Sequence, residues 1–189
     1  MAQKNKHFTL IQITTIGVFA ALVFVMNYLQ IPVPLSVGGA TRIHLGNMMC
    51  LLSGFVLGPV GGGLAAGIGS ELYDLFMGDF IYIPFYFVFK FMLAAVGALV
   101  ANGLKKRSLN WMFCHAVGAV AGQLTYLVLH LSCSALFFDI TLHKVPVETA
   151  LINVTTRLGA SSVNAVVAVV GATLLGSLLT KIFAQAQKK

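Results

Sequence analysis

The sequence predicts an all-α membrane protein, a single domain over residues 1–189 built as a bundle of six transmembrane helices with both termini in the cytoplasm. Composition is the first indication, because hydrophobic residues make up 58% of the chain and charged residues 9%. Soluble domains contain about 25% charged residues. The second is the grouping of the apolar residues into segments close to the roughly 20 residues that cross a bilayer. The third is the position of the basic residues, which cluster at the ends of these segments.

Six apolar segments follow one another along the chain, at residues 9–30, 43–58, 61–77, 82–104, 109–138 and 147–182. Residues 31–42, between the first two, contain prolines and glycines and are predicted to form an irregular outer loop. Gly58 and Pro59, followed by three more glycines, predict a tight hairpin between the second and third segments.

Positive charge predicts the orientation of the bundle. Eight of the twelve lysine and arginine residues fall on one side of a six-helix arrangement: Lys4, Lys6, Lys105, Lys106, Arg107, Lys181, Lys188 and Lys189. Loops rich in lysine and arginine stay in the cytoplasm. The net charge of +7 therefore indicates membrane topology and not a nucleic-acid-binding surface.

Polar side chains within the segments concentrate in the outer half of the predicted bundle. Several are three or four residues apart and so share a helix face. Ionisable residues in a membrane are costly unless they are paired or line a cavity. We therefore predict an outward-facing binding pocket whose residues are Asn47, Glu71, Asp74, Tyr86, Lys90, Tyr126, His130, Asn153 and Arg157.

Two alternatives remain open for this set. Glu71 or Asp74 could form structural ion pairs with Lys90 and Arg157 that only hold the helices together. The aromatic run from Tyr82 to Phe89 could be an interfacial belt or a surface on which a flat heterocycle stacks. Two acidic and two basic residues give a pocket of zero net charge, which favours a neutral or zwitterionic ligand.

Catalytic and cofactor motifs are not evident in the sequence. The three cysteines lack CxxC spacing and the histidines lack HxxxH or HExxH spacing, so no metal site is expected. The chain contains neither a GxSxG motif nor a GxxxxGK[ST] phosphate loop. We expect a chain without cofactor or enzymatic activity, in which any ATP-driven step belongs to another subunit.

The run IHLGNMMCLLSGFVLGPVGGGLAAGIGSELYDLF at 43–76 and the run IPFYFVFKF at 83–91 resemble the substrate-binding S components of energy-coupling factor (ECF) vitamin transporters, in the riboflavin and hydroxymethylpyrimidine branch. The resemblance implies a multi-pass protein of the bacterial plasma membrane that binds a vitamin from outside. It also implies assembly with an EcfT-like membrane coupling protein and two EcfA-like ATPase subunits. The loops 31–42 and 77–82 would then act as lids over the pocket.

Small residues on the first helix, Gly17 and Ala21 with Ala20 beside them, allow close approach of another helix. In the S components that this chain resembles, such residues contact the coupling protein, commonly through an AxxxA pattern. Here glycine occupies the first position of that pattern. Packing within the bundle is the alternative role.

Hydroxymethylpyrimidine is the first expectation for the ligand, with pyridoxine and pantothenate as alternatives. Pantothenate would require a net positive pocket, formed by Lys90 and Arg157 with the carboxylates engaged elsewhere. A stand-alone proton-coupled secondary transporter is the competing function, with Glu71 or Asp74 as the proton site. The absence of a visible inverted repeat argues against it.

Overall fold

The computed structural model describes residues 9–34 and 40–186. Five α-helices, one π-helix and two short strands make up this part of the chain. In order they are α1 (Leu10–Tyr28), β1 (Gln30–Pro34), β2 (Ala40–His44), α2 (Gly46–Met77), α3 (Ile83–Lys105), α4 (Trp111–Cys133), the π-helix (Ser134–Leu142) and α5 (Val147–Ala186). Of the predicted all-α architecture, the mostly helical character is confirmed.

Within the described residues, five helical stretches are long and apolar enough to cross a membrane. They are α1, α2, α3, α4 together with the π-helix, and α5 as far as Leu179. The prediction was of six segments, and the difference lies in α2, which contains both the 43–58 and the 61–77 segment.

The two halves of α2 are not collinear, because the chain reverses at Gly58. Gly58 has φ 78° and ψ −179°, a conformation that only glycine adopts readily. The Sγ atom of Cys50 lies 3.9 Å from the Oγ atom of Ser70, although 20 residues of straight helix would separate them by about 30 Å. The element is therefore a helical hairpin with two antiparallel arms, residues 46–57 and 59–77.

The hydroxyl of Ser53 fastens this hairpin close to its turn. It donates to the backbone oxygen of Gly62 at 3.0 Å and to that of Cys50 at 2.7 Å. Ser53 is fully buried, so the bond to Gly62 also provides a partner for a backbone group that water does not reach.

The predicted irregular loop at 31–42 is instead mostly an antiparallel β-hairpin, so the all-α prediction is wrong here. Gln30 pairs with His44 and Pro34 pairs with Ala40. A two-stranded sheet is only marginally stable on its own. Asn164 on α5 anchors it: its side chain accepts from the His44 backbone N–H and donates to the Arg42 backbone oxygen, both at 2.8 Å.

A π-helix replaces the end of the predicted 109–138 segment and extends it to Leu142. Its wider turn is visible at its carboxyl end, where the His143 N–H donates to the Phe138 oxygen at 2.9 Å. Phe138 and Asp139 are 2% and 1% exposed. The π-helix therefore turns these two side chains into the bundle.

Small residues let α3 and α4 approach each other closely. Gly97 on α3 faces Gly118 and Gly122 on α4, where a methyl group at Gly97 would lie 3.3 Å from the Gly118 oxygen. The apolar core is contiguous there and includes Leu51, Leu93, Ala94 and Ala119. This packing joins α2, α3 and α4 in one apolar core.

Some predictions fall on residues that the structure does not describe. The orientation argument depends partly on Lys4, Lys6, Lys188 and Lys189, which lie outside the described residues, as do residues 35–39 of the predicted first lid. The side chain of Lys181 is also outside the described part.

Candidate functional site

A polar cavity of about 310 Å³ lies among the β-hairpin, the helices and the π-helix. Its volume is at the lower end of the roughly 300–1,000 Å³ typical of small-molecule sites. Six of the nine predicted binding residues line it: Asp74, Tyr86, Lys90, Tyr126, His130 and Arg157. The sequence pattern therefore located six of the nineteen described residues that line the cavity, and the binding role of each residue stays a prediction.

Asn47 does not line the cavity but holds a residue that does. It is 1% exposed, and its Oδ1 atom accepts a hydrogen bond from the Lys90 ammonium. Its Nδ2 atom donates to the Oε1 atom of Gln123 at 3.4 Å. Asn47 thereby connects Lys90 to α4 and fixes the position of the ammonium group.

Glu71 and Asn153 also lie outside the cavity lining. Glu71 is 8% exposed, and neither of its carboxylate oxygens has a hydrogen-bond partner among the described residues. Asn153 is fully buried in α5. Helical spacing placed Glu71 and Asp74 on one face, but only Asp74 reaches the cavity.

Lys90 provides a cation on the inner wall of the cavity. The residue is 5% exposed, and its Nζ atom lies 4.7 Å from the centre of the Tyr126 ring. Aromatic faces stabilise a buried ammonium through the ring quadrupole. Lys90 forms no salt bridge within 4.0 Å in the described part of the chain, and its ammonium directly contacts two neutral groups, the Asn47 amide and the Tyr126 ring.

Aromatic rings form a second wall. Tyr82 and Tyr86, one helical turn apart, lie nearly parallel with ring centres 5.7 Å apart. The Phe138 ring is 4.4 Å from that of Tyr82, and the His130 and Tyr126 rings are stacked at 5.3 Å. All five side chains line the cavity.

The predicted aromatic run therefore divides by helix face. Tyr82 and Tyr86 face the cavity, whereas Phe89 is buried in the apolar core. Phe87 contacts Phe91 and approaches Gly67. A continuous interfacial belt does not describe this arrangement, and rings are in place for a flat ligand to stack upon.

Arg157 forms an ion pair that sequence analysis did not anticipate. Its Nη1 and Nη2 atoms lie 2.5 and 3.0 Å from the two carboxylate oxygens of Asp139. The alternative in which Glu71 or Asp74 forms structural ion pairs with Lys90 and Arg157 is not what the structure shows, because the described residues contain no such salt bridge. Asp139 lies just past the predicted end of its segment, which is why the periodicity argument missed it.

A second ion pair crosses the rim of the cavity. Arg42 on β2 lies 3.1 Å from Asp79, in the short connection between α2 and α3. Arg42 and Gln30 also donate to the hydroxyl of Tyr73 on α2. The pair of Arg42 with Asp79 joins the β-hairpin to the connection between α2 and α3, and these segments overlap the predicted lids at 31–42 and 77–82. The bonds to Tyr73 join the hairpin to α2. No sequence pattern indicated the partners of Arg42.

His44, at the end of β2, is a further cavity residue that the sequence analysis did not select. Burial lowers the pKa of His44 well below its usual value, and the nearby positive charge of Lys90 acts in the same direction. The imidazole is therefore neutral at pH 7. Its Nδ1 atom accepts from the Gly46 backbone N–H at 3.1 Å, where α2 begins.

Among the described residues, no group of three His, Cys, Asp or Glu side chains is arranged to hold a metal ion. The cavity instead offers one ammonium, paired guanidinium groups, carboxylates, phenols and a flat aromatic wall. Such a site can bind a small polar ring.

The predicted small residues of α1 do not all lie on the same face of the helix. Gly17 and Ala21 are exposed, and no atom lies within 4 Å of a methyl group placed on Gly17. Ala20 is 4% exposed and packs against Gly69 on α2. Gly17 and Ala21 thus remain candidates for a partner contact, and Ala20 belongs to the interior.

Residues 7–181 match the protein family described as the S component of ECF-type riboflavin transporters. No curated protein matches the sequence. Among solved structures, one described as a transition metal transporter superimposes with a TM-score of 0.68 at 15% identity, covering 98% of this chain and 81% of the other. The S component of a bacterial ECF transporter superimposes with a TM-score of 0.61 at 17% identity, covering 95% of this chain and 98% of the other.

Proposed function

This chain belongs to the family of ECF-type riboflavin transporter S components, and from that membership we propose that it captures a small vitamin or vitamin precursor from outside the cell. S components are non-catalytic subunits, and they pair with the coupling protein EcfT and with the ATPase subunits EcfA. In this proposal the polar cavity is the vitamin site, and ATP hydrolysis by the partner subunits drives uptake.

The single observation that carries the proposal is the buried ammonium of Lys90 on the wall of an otherwise aromatic and polar cavity. A cation at membrane depth is retained where it has a role in binding or transport. Tyr82, Tyr86 and Phe138 supply rings for stacking, while Lys90 supplies a donor for a ring nitrogen or carbonyl oxygen.

We favour a planar nitrogen heterocycle of modest size as the ligand. Hydroxymethylpyrimidine remains the first choice, with pyridoxine next, because the cavity of about 310 Å³ suits a single small ring. Riboflavin enters the same panel through the family description. Pantothenate is disfavoured, since Asp139 already engages the guanidinium of Arg157.

The two arms of α2 are proposed to cross the membrane separately, which gives six passages and places both termini in the cytoplasm of a bacterial cell. The loop from Lys105 to Arg107 would then be cytoplasmic, as the positive-inside rule requires. The β-hairpin and the connection 78–82 would face outward, where a ligand must enter.

Gly17 and Ala21 form the proposed contact with the coupling protein. Their surroundings are open, and the neighbouring exposed side chains of α1, including Val18 and Leu22, are apolar. A partner helix can approach such a surface closely.

The test is to purify the full chain in detergent or nanodiscs and to measure binding of hydroxymethylpyrimidine, pyridoxine, riboflavin and pantothenate by calorimetry. One-to-one binding of one of them supports the proposal. If none binds and the chain alone moves a solute in liposomes along a proton gradient, the competing secondary-transporter function is correct.

A further inference from the structure

The charged side chains of the cavity fall into three balanced sets. Arg42 pairs with Asp79 at the rim, and Arg157 pairs with Asp139 deeper in the wall. Lys90 and Asp74 remain, and both line the cavity without a salt bridge in the described part of the chain. One positive and one negative group therefore face the ligand, and their charges cancel.

Asp139 is decisive for this balance. Its side chain is 1% exposed, whereas that of Arg157 is 11% exposed and borders the cavity. Both carboxylate oxygens are used in a two-point contact, the strongest geometry available to an arginine–carboxylate pair. Asp139, which does not line the cavity, thus neutralises the guanidinium charge that would otherwise attract an anion.

The π-helix makes this contact possible. Asp139 is the sixth residue of the element, and the adjacent Phe138 forms part of the aromatic wall. The Val145 N–H donates to the Asp139 backbone oxygen at 2.9 Å, which fixes the end of the element. One segment therefore supplies both a ring for the ligand and the counter-charge for Arg157.

From this arrangement we propose that Asp139 is a specificity-determining residue that restricts the cavity to uncharged heterocyclic alcohols and excludes their phosphate monoesters. The inference rests on the proposed function of the cavity as a vitamin site. A phosphate monoester carries about −1.5 to −2 charges at pH 7. With Arg157 neutralised and Lys90 offset by Asp74, the cavity has no net positive charge to compensate for removing those charges from water.

The experiment compares each alcohol with its own monoester on the purified full chain. The pairs are pyridoxine with pyridoxine 5′-phosphate, riboflavin with its 5′-phosphate, and hydroxymethylpyrimidine with its phosphate. For the alcohol that binds, the wild type should bind the ester at least about tenfold more weakly, equivalent to about 1.4 kcal/mol. Equal binding of alcohol and ester would overturn the inference while leaving the proposed function intact. Failure to bind any member of the panel would count against the proposed function itself.

Two variants locate the effect. Asp139→Asn keeps the shape of the side chain and frees the charge of Arg157, so affinity for the ester should rise about tenfold while the alcohol still binds. A merely structural role for Asp139 predicts loss of both ligands, and that result would overturn the proposal. The double variant Asp139→Asn with Arg157→Gln restores neutrality, so its ratio of ester affinity to alcohol affinity should return to that of the wild type.

A variant with the opposite change in charge keeps the proposal testable if Asp139→Asn is too unstable to purify. Arg157→Gln leaves the Asp139 carboxylate uncompensated, so the ratio of ester affinity to alcohol affinity should fall about tenfold below that of the wild type. An unchanged or higher ratio in Arg157→Gln would show that charge balance at this pair does not set specificity.

Discussion

The ammonium of Lys90 lies over the ring of Tyr126 in the wall of the cavity, with the Nζ atom 4.7 Å from the ring centre. The two residues belong to neighbouring helices, α3 and α4. Asn47, on the first arm of α2, accepts a hydrogen bond from the same ammonium. One cation therefore links three of the elements that surround the cavity, and its position is fixed before a ligand arrives.

Replacing Lys90 with Ala should weaken vitamin binding by about tenfold or more, because a charged hydrogen bond contributes about 1.5–3 kcal/mol. Calorimetry on the purified chain measures the loss, and membrane expression reports folding. The control is Lys105→Ala, which removes an exposed ammonium that contacts Trp111 at the other end of the bundle. Equal losses of binding and expression in Lys90→Ala would assign Lys90 a purely structural role.

Asp74 and Glu71 should respond differently to neutralisation, although they lie one turn apart and are equally buried at 8% exposed. Only Asp74 lines the cavity. Asp74→Asn should weaken binding about tenfold, since it removes a charged acceptor, while Glu71→Gln should change it less than about twofold. Each variant is the matched control of the other in the same titration. The reverse order would place the ligand against Glu71.

Introducing Leu at Gly17 should block uptake by the complete transporter and leave binding by the isolated chain unchanged. The new side chain meets open space within this chain but would obstruct a partner helix that approaches closely. Gly159→Leu on α5 is the control, because that position is equally open. Uptake in cells and calorimetry on the isolated chain are measured for both. Normal uptake by Gly17→Leu would remove this face of α1 from the interface.

Gly58→Ala should destabilise the protein by about 1–2 kcal/mol, because φ at this position is 78° and a Cβ atom is strained there. The thermal midpoint of the detergent-solubilised chain measures the effect. Gly103→Ala is the control, since this helical glycine has open space for a methyl group and alanine favours a helix by about 1 kcal/mol. A Gly58→Ala midpoint at or above that of the wild type would mean that the turn does not require this conformation.

Two signals selected most of the candidate site: the depth of polar residues in the predicted helices, and the three- or four-residue spacing that places residues on one face. Six of the selected residues line the cavity, which are Asp74, Tyr86, Lys90, Tyr126, His130 and Arg157. Asn47, Glu71 and Asn153 were also selected and do not line it. A 3.6-residue period defines a face about a third of the helix wide. Of two neighbours on such a face, one can therefore line the cavity while the other lies outside it.

Sequence reasoning missed uncharged cavity residues that lie on regular helices, which are Asn27, Ser70, Tyr73, Ser161 and Asn164. The charged residues that it missed lie where regular periodicity ends. Arg42 is on a β-hairpin, Asp79 is in a short connection, and Asp139 is on a π-helix. The partners of these residues come from distant parts of the chain, so no local pattern indicated them. Asp139, between Phe138 and Ile140, did appear as a charge in apolar surroundings, which is the signal that could have drawn attention to it.

The amino-acid sequence by itself determined the membrane class, the apolar segments and the concentration of polar side chains toward one end, because hydropathy and period act locally along the chain. Only the tertiary structure decided how the charges pair. Arg157 meets Asp139 and not Glu71, and Lys90 rests between Asn47 and Tyr126. Pairing depends on which helices pack together and on the turn that a π-helix adds, and the low dielectric of the interior makes each such choice energetically large.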